Sequence, residues 1–403
     1  MRDFDLIIFG VTGYTGRLVA EAILEFPEPG LKWALAGRNM AKLEQVRSGL
    51  SERFPAAADL PLVAADVTDP ESIGALAART KVLCTTVGPY VQLGDAAVAA
   101  CVANGTDYCD LTGEVHWMAK NIAAYHETAQ ANQTRIVHAA GFDSIPFDIG
   151  VYALQQAAQE RWGAPATAVR TATGKLKGGF SGGTIASMGL LFDAIRTDRS
   201  VLRTMANPYT LVPGGTGVDK KDSTGVEHWA DHGTWTAPFI MAGCNTRVVR
   251  RTHHLLGKPW GDDFSYMEAM GTGRGFKGWF RGQVMRLALG GLVTVMAVRW
   301  MRKLAVGRFL PSPGDGPTER QRTEGMFTAH IVGRRGDKTL HLDVVGQGDP
   351  GYLATSRMLS QTALSLCRDT LPETYGVLTP GSFMGDALLK RLPNVGITFE
   401  ART

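Results

Sequence analysis

Asp5-Leu-Ile-Ile-Phe9, then Gly10-Val-Thr-Gly13-Tyr-Thr-Gly16, then Arg17-Leu-Val-Ala-Glu-Ala-Ile-Leu24 is the stretch that decides the fold. The first five residues read as a short buried strand. Apolar residues at 18, 19, 22, 23 and 24 favour a helix after the glycines. Strand, glycine turn and helix in this order form the setting in which such glycines bind a dinucleotide. Gly10 permits the tight turn, Gly13 lets the backbone approach a diphosphate, and Gly16 lets helix and strand pack closely. Thr12, Tyr14 and Thr15 sit between them and are expected at the cofactor too. The spacing is GxxGxxG rather than GxGxxG, so the flanking elements carry as much weight as the glycines.

The next strand, Trp33–Ala36, ends in Gly37-Arg38-Asn39. An NAD enzyme usually has an acid here to hold the ribose 2′-hydroxyl. A planar cation with Asn39 beside it suits a 2′-phosphate, which favours NADP(H). A third strand ends at Asp66-Val67, where the adenine is expected. A fourth ends at Val87-Gly88-Pro89-Tyr90, with Val87, Gly88 and Pro89 beside the cofactor and Tyr90 facing either nicotinamide or core.

The α/β alternation continues to about residue 150 and supplies six strands. Beyond it the pattern becomes mixed. The expected fold class is α/β: a Rossmann-type doubly wound parallel sheet (1–150) with a second α+β domain (151–380) containing a mixed or antiparallel sheet. Strands are expected at Ala168–Lys175, Pro238–Arg250, Phe264–Gly271, Met326–Gly333 and Thr339–Gly346. Residues 381–403 read as a C-terminal helix and a strand that could return to either domain, the first included.

Within 403 residues, 44% are hydrophobic and the formal charge is +4, too small a surplus to imply nucleic acid. Cys84, Cys101, Cys109, Cys244 and Cys367 show no CxxC spacing, so neither a disulfide framework nor a metal knuckle is expected. Glu227-His228-Trp-Ala-Asp231-His232 lacks the HExxH arrangement, and no metal is predicted. The chain starts directly on a strand, which reads as cytoplasmic. No tyrosine has a lysine four residues on, so the acid–base pair of short-chain dehydrogenases is absent.

Residues 271–310 stand apart. They carry eight basic residues and no acid, and Leu287–Val298 is uncharged. Twelve residues cannot span a bilayer core that needs about 20. Two readings stay open: a helix in a lipid interface, peripheral at the cytoplasmic face of a membrane, or a buried helix over a pocket or dimer contact. Either one sets apolar surface beside the site and points to a greasy substrate.

Further motifs are Gly141-Phe-Asp143-Ser144-Ile-Pro146, Ser181-Gly-Gly-Thr184, Asn245-Thr-Arg-Val-Val-Arg250, Gly348-Asp-Pro-Gly-Tyr352 and Leu378-Thr-Pro-Gly-Ser382. With the earlier ones, the chain resembles the saccharopine-dehydrogenase-like oxidoreductases, most closely the trans-acting enoyl reductases. The resemblance implies NADPH-dependent reduction of an enoyl group in an acyl or polyketide intermediate, with a carrier protein or synthase as partner. A homodimer is a further expectation. Such chemistry needs a donor to an enolate oxygen and a proton for the α-carbon. Tyr90, Glu114 (beside His116) and Asp143 are the catalytic candidates, and His138 is a further histidine in reach. Tyr90, Ser144 and Ser181 are the candidates for substrate contact. Two rival readings are reduction of a ketone or imine in an amino-acid-like metabolite, and a non-catalytic membrane-associated NADP-binding protein. The first would put cations inside the pocket.

Overall fold

The computed structural model describes residues 2–178, 182–308 and 316–402. Two seven-stranded sheets organise it. The first runs β13-β6-β5-β4-β1-β2-β3, where β1 is Phe4–Phe9, β2 Trp33–Gly37, β3 Leu62–Ala64, β4 Thr80–Thr85, β5 Asp107–Cys109, β6 Arg135–Val137 and β13 Gly376–Leu378. Every pairing in it is parallel. β1 and β2 are buried almost throughout, as apolar runs must be when helices cover both faces of a parallel sheet. The doubly wound reading holds, and a seventh strand joins from far along the chain. β13 is only Gly-Val-Leu, too short to show periodicity in the sequence.

The second sheet runs β14-β12-β11-β7-β10-β9-β8: β14 is Ile397–Arg402, β12 Lys338–Gln347, β11 Met326–Arg335, β7 Ala168–Lys177, β10 Ser265–Gly273, β9 Thr234–Ala237 and β8 Glu227–Trp229. Only β7 and β10 are parallel neighbours, so the sheet is mixed. The Ile145–Trp162 helix lies flat on it. A Cβ at Gly150 would come within 2.5 Å of Ile331 Cδ1, so glycine sets that approach.

One expectation needs correction. Residues 238–250 are not a strand, because a helix occupies Ala242–Leu255. Thr246, Val248 and Val249 favour extended backbone, but Arg247, Arg250 and Arg251 fall at helical spacing and find buried partners there. Arg250 Nε meets Asp219 at 2.6 Å, and its Nη2 donates to Tyr266 O of β10 at 2.9 Å. Arg251 donates to Leu211 O at 2.6 Å and also to Val377 O of β13. This helix therefore binds both sheets. The final strand, which could return to either domain, pairs antiparallel with β12, with Phe399 opposite Val344. Its fully buried Ile397 and half-buried neighbours suit an edge strand covered on one face.

Arg250 and Asp219 are 3% and 4% exposed. Arg250→Met should therefore leave a buried carboxylate unpaired and cost about 3–5 kcal/mol of unfolding free energy. Urea unfolding checks this, and a loss under about 1 kcal/mol would contradict the bridging role.

Candidate active site

The glycine turn is as tight as the sequence required. Gly10 has φ +99°, and a Cβ on Gly16 would lie 2.3 Å from Gly10 O. The Tyr14–Glu25 helix opens on Gly13 with no side-chain cap and no acid in its first turn. Its backbone bonding begins with Arg17 N donating to Gly13 O at 3.1 Å. The amides of Tyr14, Thr15 and Gly16 therefore keep no intrahelical acceptor, which is the arrangement that takes a diphosphate.

Arg38 follows β2 with its side chain 77% exposed, 4.0 Å from Asp66. Asn39 accepts from Lys42 N at 3.0 Å and caps the Met40–Arg53 helix. Thr12 leans against Gly37, where a Cβ would sit 3.6 Å from its Cγ2. Asp66 accepts from Thr68 N and Oγ1 at 3.0 and 2.8 Å, and these bonds hold its carboxyl below the ordinary range. Val67 is half-buried beside it. Val87 N donates to Thr85 Oγ1 at 3.1 Å, fixing the loop that leads to Gly88 and Pro89. Arg38, Asn39, Asp66 and Val67 thus flank one end of the glycine loop.

From Gly13–Gly16, Gly88 and Pro89 a cavity of about 470 Å³ extends towards the second sheet. Its far walls are apolar: Met188, Leu191 and Phe192 of the Gly182–Thr197 helix, Met205, Ile240, Met241 and Val293. No lysine or arginine occurs among the described residues that line it.

The acid–base candidates divide sharply. Tyr90 lines this cavity, but its hydroxyl donates to Thr85 O at 3.1 Å and its ring stacks on Trp117 at 5.7 Å. Burial drives its pKa well above the ordinary phenol value. The Tyr90 hydroxyl is thus engaged with the backbone of β4. Glu114 accepts from Tyr90 N at 3.1 Å, Val91 N at 2.6 Å and Ser187 Oγ at 2.6 Å. Burial raises its pKa against those bonds, and its oxygens are occupied in holding the loop after β4 to the cavity wall. His138 bonds Asp110 at 2.8 Å and Asn121 at 3.3 Å and is not among the residues that line the cavity.

Asp143 and His116 differ from these. Asp143 lines the cavity with Oδ2 against Gly113, and has no hydrogen-bond partner among the described residues. Burial pushes its carboxyl up to about 7. His116 also lines the cavity, neither ring nitrogen has a partner among the described residues, and burial lowers its pKa. Ser144 Oγ donates to Asn245 Oδ1 at 3.3 Å, in a buried chain that continues to Glu268. Ser181 lies outside the described residues. Missed from sequence was Tyr14's role as a junction. Its hydroxyl donates to Pro317 O at 2.5 Å and receives Arg322 Nη1 at 2.5 Å, and its ring meets Tyr352 edge-on at 4.9 Å. No local pattern ties residues some 300 positions apart.

Residues 6–137 match the family model described as the saccharopine dehydrogenase NADP binding domain. A Mycobacterium tuberculosis protein provisionally named a trans-acting enoyl reductase is 40% identical, over 99% of this chain and 97% of its own length. The trans-acting enoyl reductase of Mycobacterium ulcerans is 33% identical, over 99% of this chain and 98% of its own. This chain belongs to the trans-acting enoyl reductase family. Among solved structures, apo saccharopine dehydrogenase (L-Glu forming) from Saccharomyces cerevisiae superposes with a TM-score of 0.51 at 13% identity. It covers 99% of this chain and 100% of that one, so the two-sheet fold is shared with the wider group. The family assignment makes NADP(H) the cofactor, and the uncapped helix start with Arg38 at the end of β2 fits it.

Arg38→Glu should weaken NADPH binding by about 1.5–3 kcal/mol, the worth of a charge-assisted contact, and leave NADH binding nearly unchanged. Titration calorimetry with both nucleotides checks this. Equal losses would remove Arg38 from the 2′-phosphate.

Proposed function

We propose that this protein reduces the C=C bond of an enoyl group in an acyl or polyketide intermediate, using NADPH. The observation that carries the reading is one continuous cavity. It begins at the free amides of the Tyr14–Glu25 helix and ends between Met188, Leu191, Phe192 and Val293. A nicotinamide end and a lipid-sized apolar end are thereby joined. An amino-acid-like ketone or imine would call for cations to hold its carboxylates, and the described lining offers none.

In this reading, the Gly10–Gly16 turn with Thr12, Tyr14 and Thr15 holds the diphosphate, Arg38 and Asn39 the 2′-phosphate, Asp66 and Val67 the adenosine side, and Val87, Gly88 and Pro89 the nicotinamide side. When bound, NADPH would supply the hydride taken up at the β-carbon of the α,β-unsaturated thioester. Asp143, with its pKa near neutrality, carries the proton that goes to the α-carbon. His116, unpartnered and kept neutral by burial, hydrogen-bonds the developing enolate oxygen. Glu114 holds Tyr90 N, Val91 N and Ser187 and keeps the cavity walls in register. The apolar walls keep water from the reacting carbons. A carrier protein or synthase would present the thioester, and the chain would work peripherally at the cytoplasmic face of a membrane.

Asp143 must be protonated to act. kcat should therefore hold below about pH 7 and fall as pH rises through that value, following the raised carboxyl. Asp143→Asn should lower kcat about 10²–10⁴-fold and leave NADPH affinity intact. Steady-state rates on trans-2-enoyl thioesters of increasing chain length check both. Activity in Asp143→Asn equal to the unaltered protein's would assign the proton elsewhere. Rates confined to ketones or imines would overturn the substrate class.

A further inference from the structure

The 271–310 stretch folds into two helices, Gly275–Ala297 and Arg299–Ala305, bent 107° from one another. Among the described residues eleven large apolar side chains are exposed, and seven of them belong here: Phe276, Phe280, Val284, Leu287, Val293, Trp300 and Leu304. Phe276, Leu287 and Trp300 are 75%, 68% and 69% exposed. From Arg286 to Thr294 the longer helix is apolar on nearly every side, and most of it faces outward. A helix of that composition is normally covered. Exposed among these residues are Arg274, Lys277, Arg281, Arg286, Arg299, Lys303 and Arg308, with no acid between 271 and 310.

We infer that these two helices dock on an anionic lipid bilayer, and that the acyl chain reaches the cavity across them. Charge selects the occupant. A two-fold contact with a second copy would lay this cationic patch on itself, like charge against like. An anionic headgroup layer neutralises the arginines and lysines, and the aromatic and aliphatic tips pass into the acyl boundary beneath. Neither helix is long and apolar enough to cross a membrane alone. The same helices adjoin the site. Val293 is both exposed and part of the cavity wall, opposite Leu191 and Phe192 of the Gly182–Thr197 helix. That wall hangs from the shorter docking helix: Arg299 Nε meets Asp193 at 2.9 Å, and Arg302 Nη1 donates to Gly189 O at 2.6 Å. The apolar end of the cavity thus opens beside the proposed lipid-facing surface.

Docking stands on the exposed surface alone, and the acyl route rests on the enoyl reading. The test is flotation of the full chain with phosphatidylcholine vesicles and with vesicles containing equal parts phosphatidylglycerol. The unaltered protein should float with the anionic vesicles at low salt and be released as salt rises. Phe276→Ser with Leu287→Ser, and separately Arg286→Glu with Lys303→Glu, should each weaken that binding about tenfold or more. All four side chains are exposed, so melting temperature and NADPH affinity should stay unchanged and certify the fold. Indifference to anionic lipid would overturn the inference, as would equal binding by both variants. So would a stable dimer that the same substitutions dissociate, since the face would then belong to a second copy. Anionic-vesicle binding by a protein that reduces no enoyl thioester would uphold docking and overturn the acyl route.

Discussion

The contact on which the rest depends is the approach of Gly16 to the carbonyl of Gly10. Any side chain at 16 would fall 2.3 Å from that oxygen. Because none is present, the first helix starts directly over the end of β1, and its first amides stay free at the carboxyl edge of the sheet. Free amides at a helix start are a fixed partial positive charge. β2 then brings Arg38 to one side, and β4 brings Gly88 and Pro89 to the other. The cavity begins where these meet, so the position of the chemistry follows from one missing Cβ.

The second requirement is a wall held rigidly against that edge, and buried cations supply it. The Ala242–Leu255 helix sends Arg250 to β10 and Arg251 to β13, one sheet each. Its first turn, with Met241 just before it and Gly243 and Cys244 within it, lines the cavity. Ion pairs this deep contribute little net stability over apolar packing, but they tolerate few alternative geometries. Tyr14 adds a second tie, joining the glycine loop to Pro317 and Arg322. The cofactor loop and the wall opposite are thus locked from two directions, whereas the apolar end rests on helices that face outward.

Much of this was legible in the sequence wherever the information is local. The glycine turn, Arg38, the parallel strands and the change of pattern near 150 each rest on a few adjacent residues. The basic apolar stretch was visible as composition, although its bend and exposure were not. What failed depended on distant partners. The Val248-Val249 pair argued for a strand until Asp219, Tyr266 and Val377 gave the neighbouring arginines reasons to be helical. Tyr90 and Glu114 looked like equal candidates to Asp143, since spacing cannot show which polar atoms are already bonded. Only the fold reveals that, among the described residues, Asp143 and His116 line the cavity and make no hydrogen bond that occupies them. β13 was too short to carry a signal.

The central claim is that hydride goes to one carbon of an enoyl group and a proton to its neighbour. Isotope placement tests this directly. The protein would be run to completion on a trans-2-enoyl thioester with NADPH deuterated at the transferring position, and separately with ordinary NADPH in heavy water. The product would be read by mass spectrometry and carbon NMR. The account predicts cofactor deuterium at the β-carbon and solvent deuterium at the α-carbon. Cofactor deuterium at a carbonyl-derived or amine-bearing carbon of any accepted substrate, with the enoyl thioester returned unchanged, would contradict it.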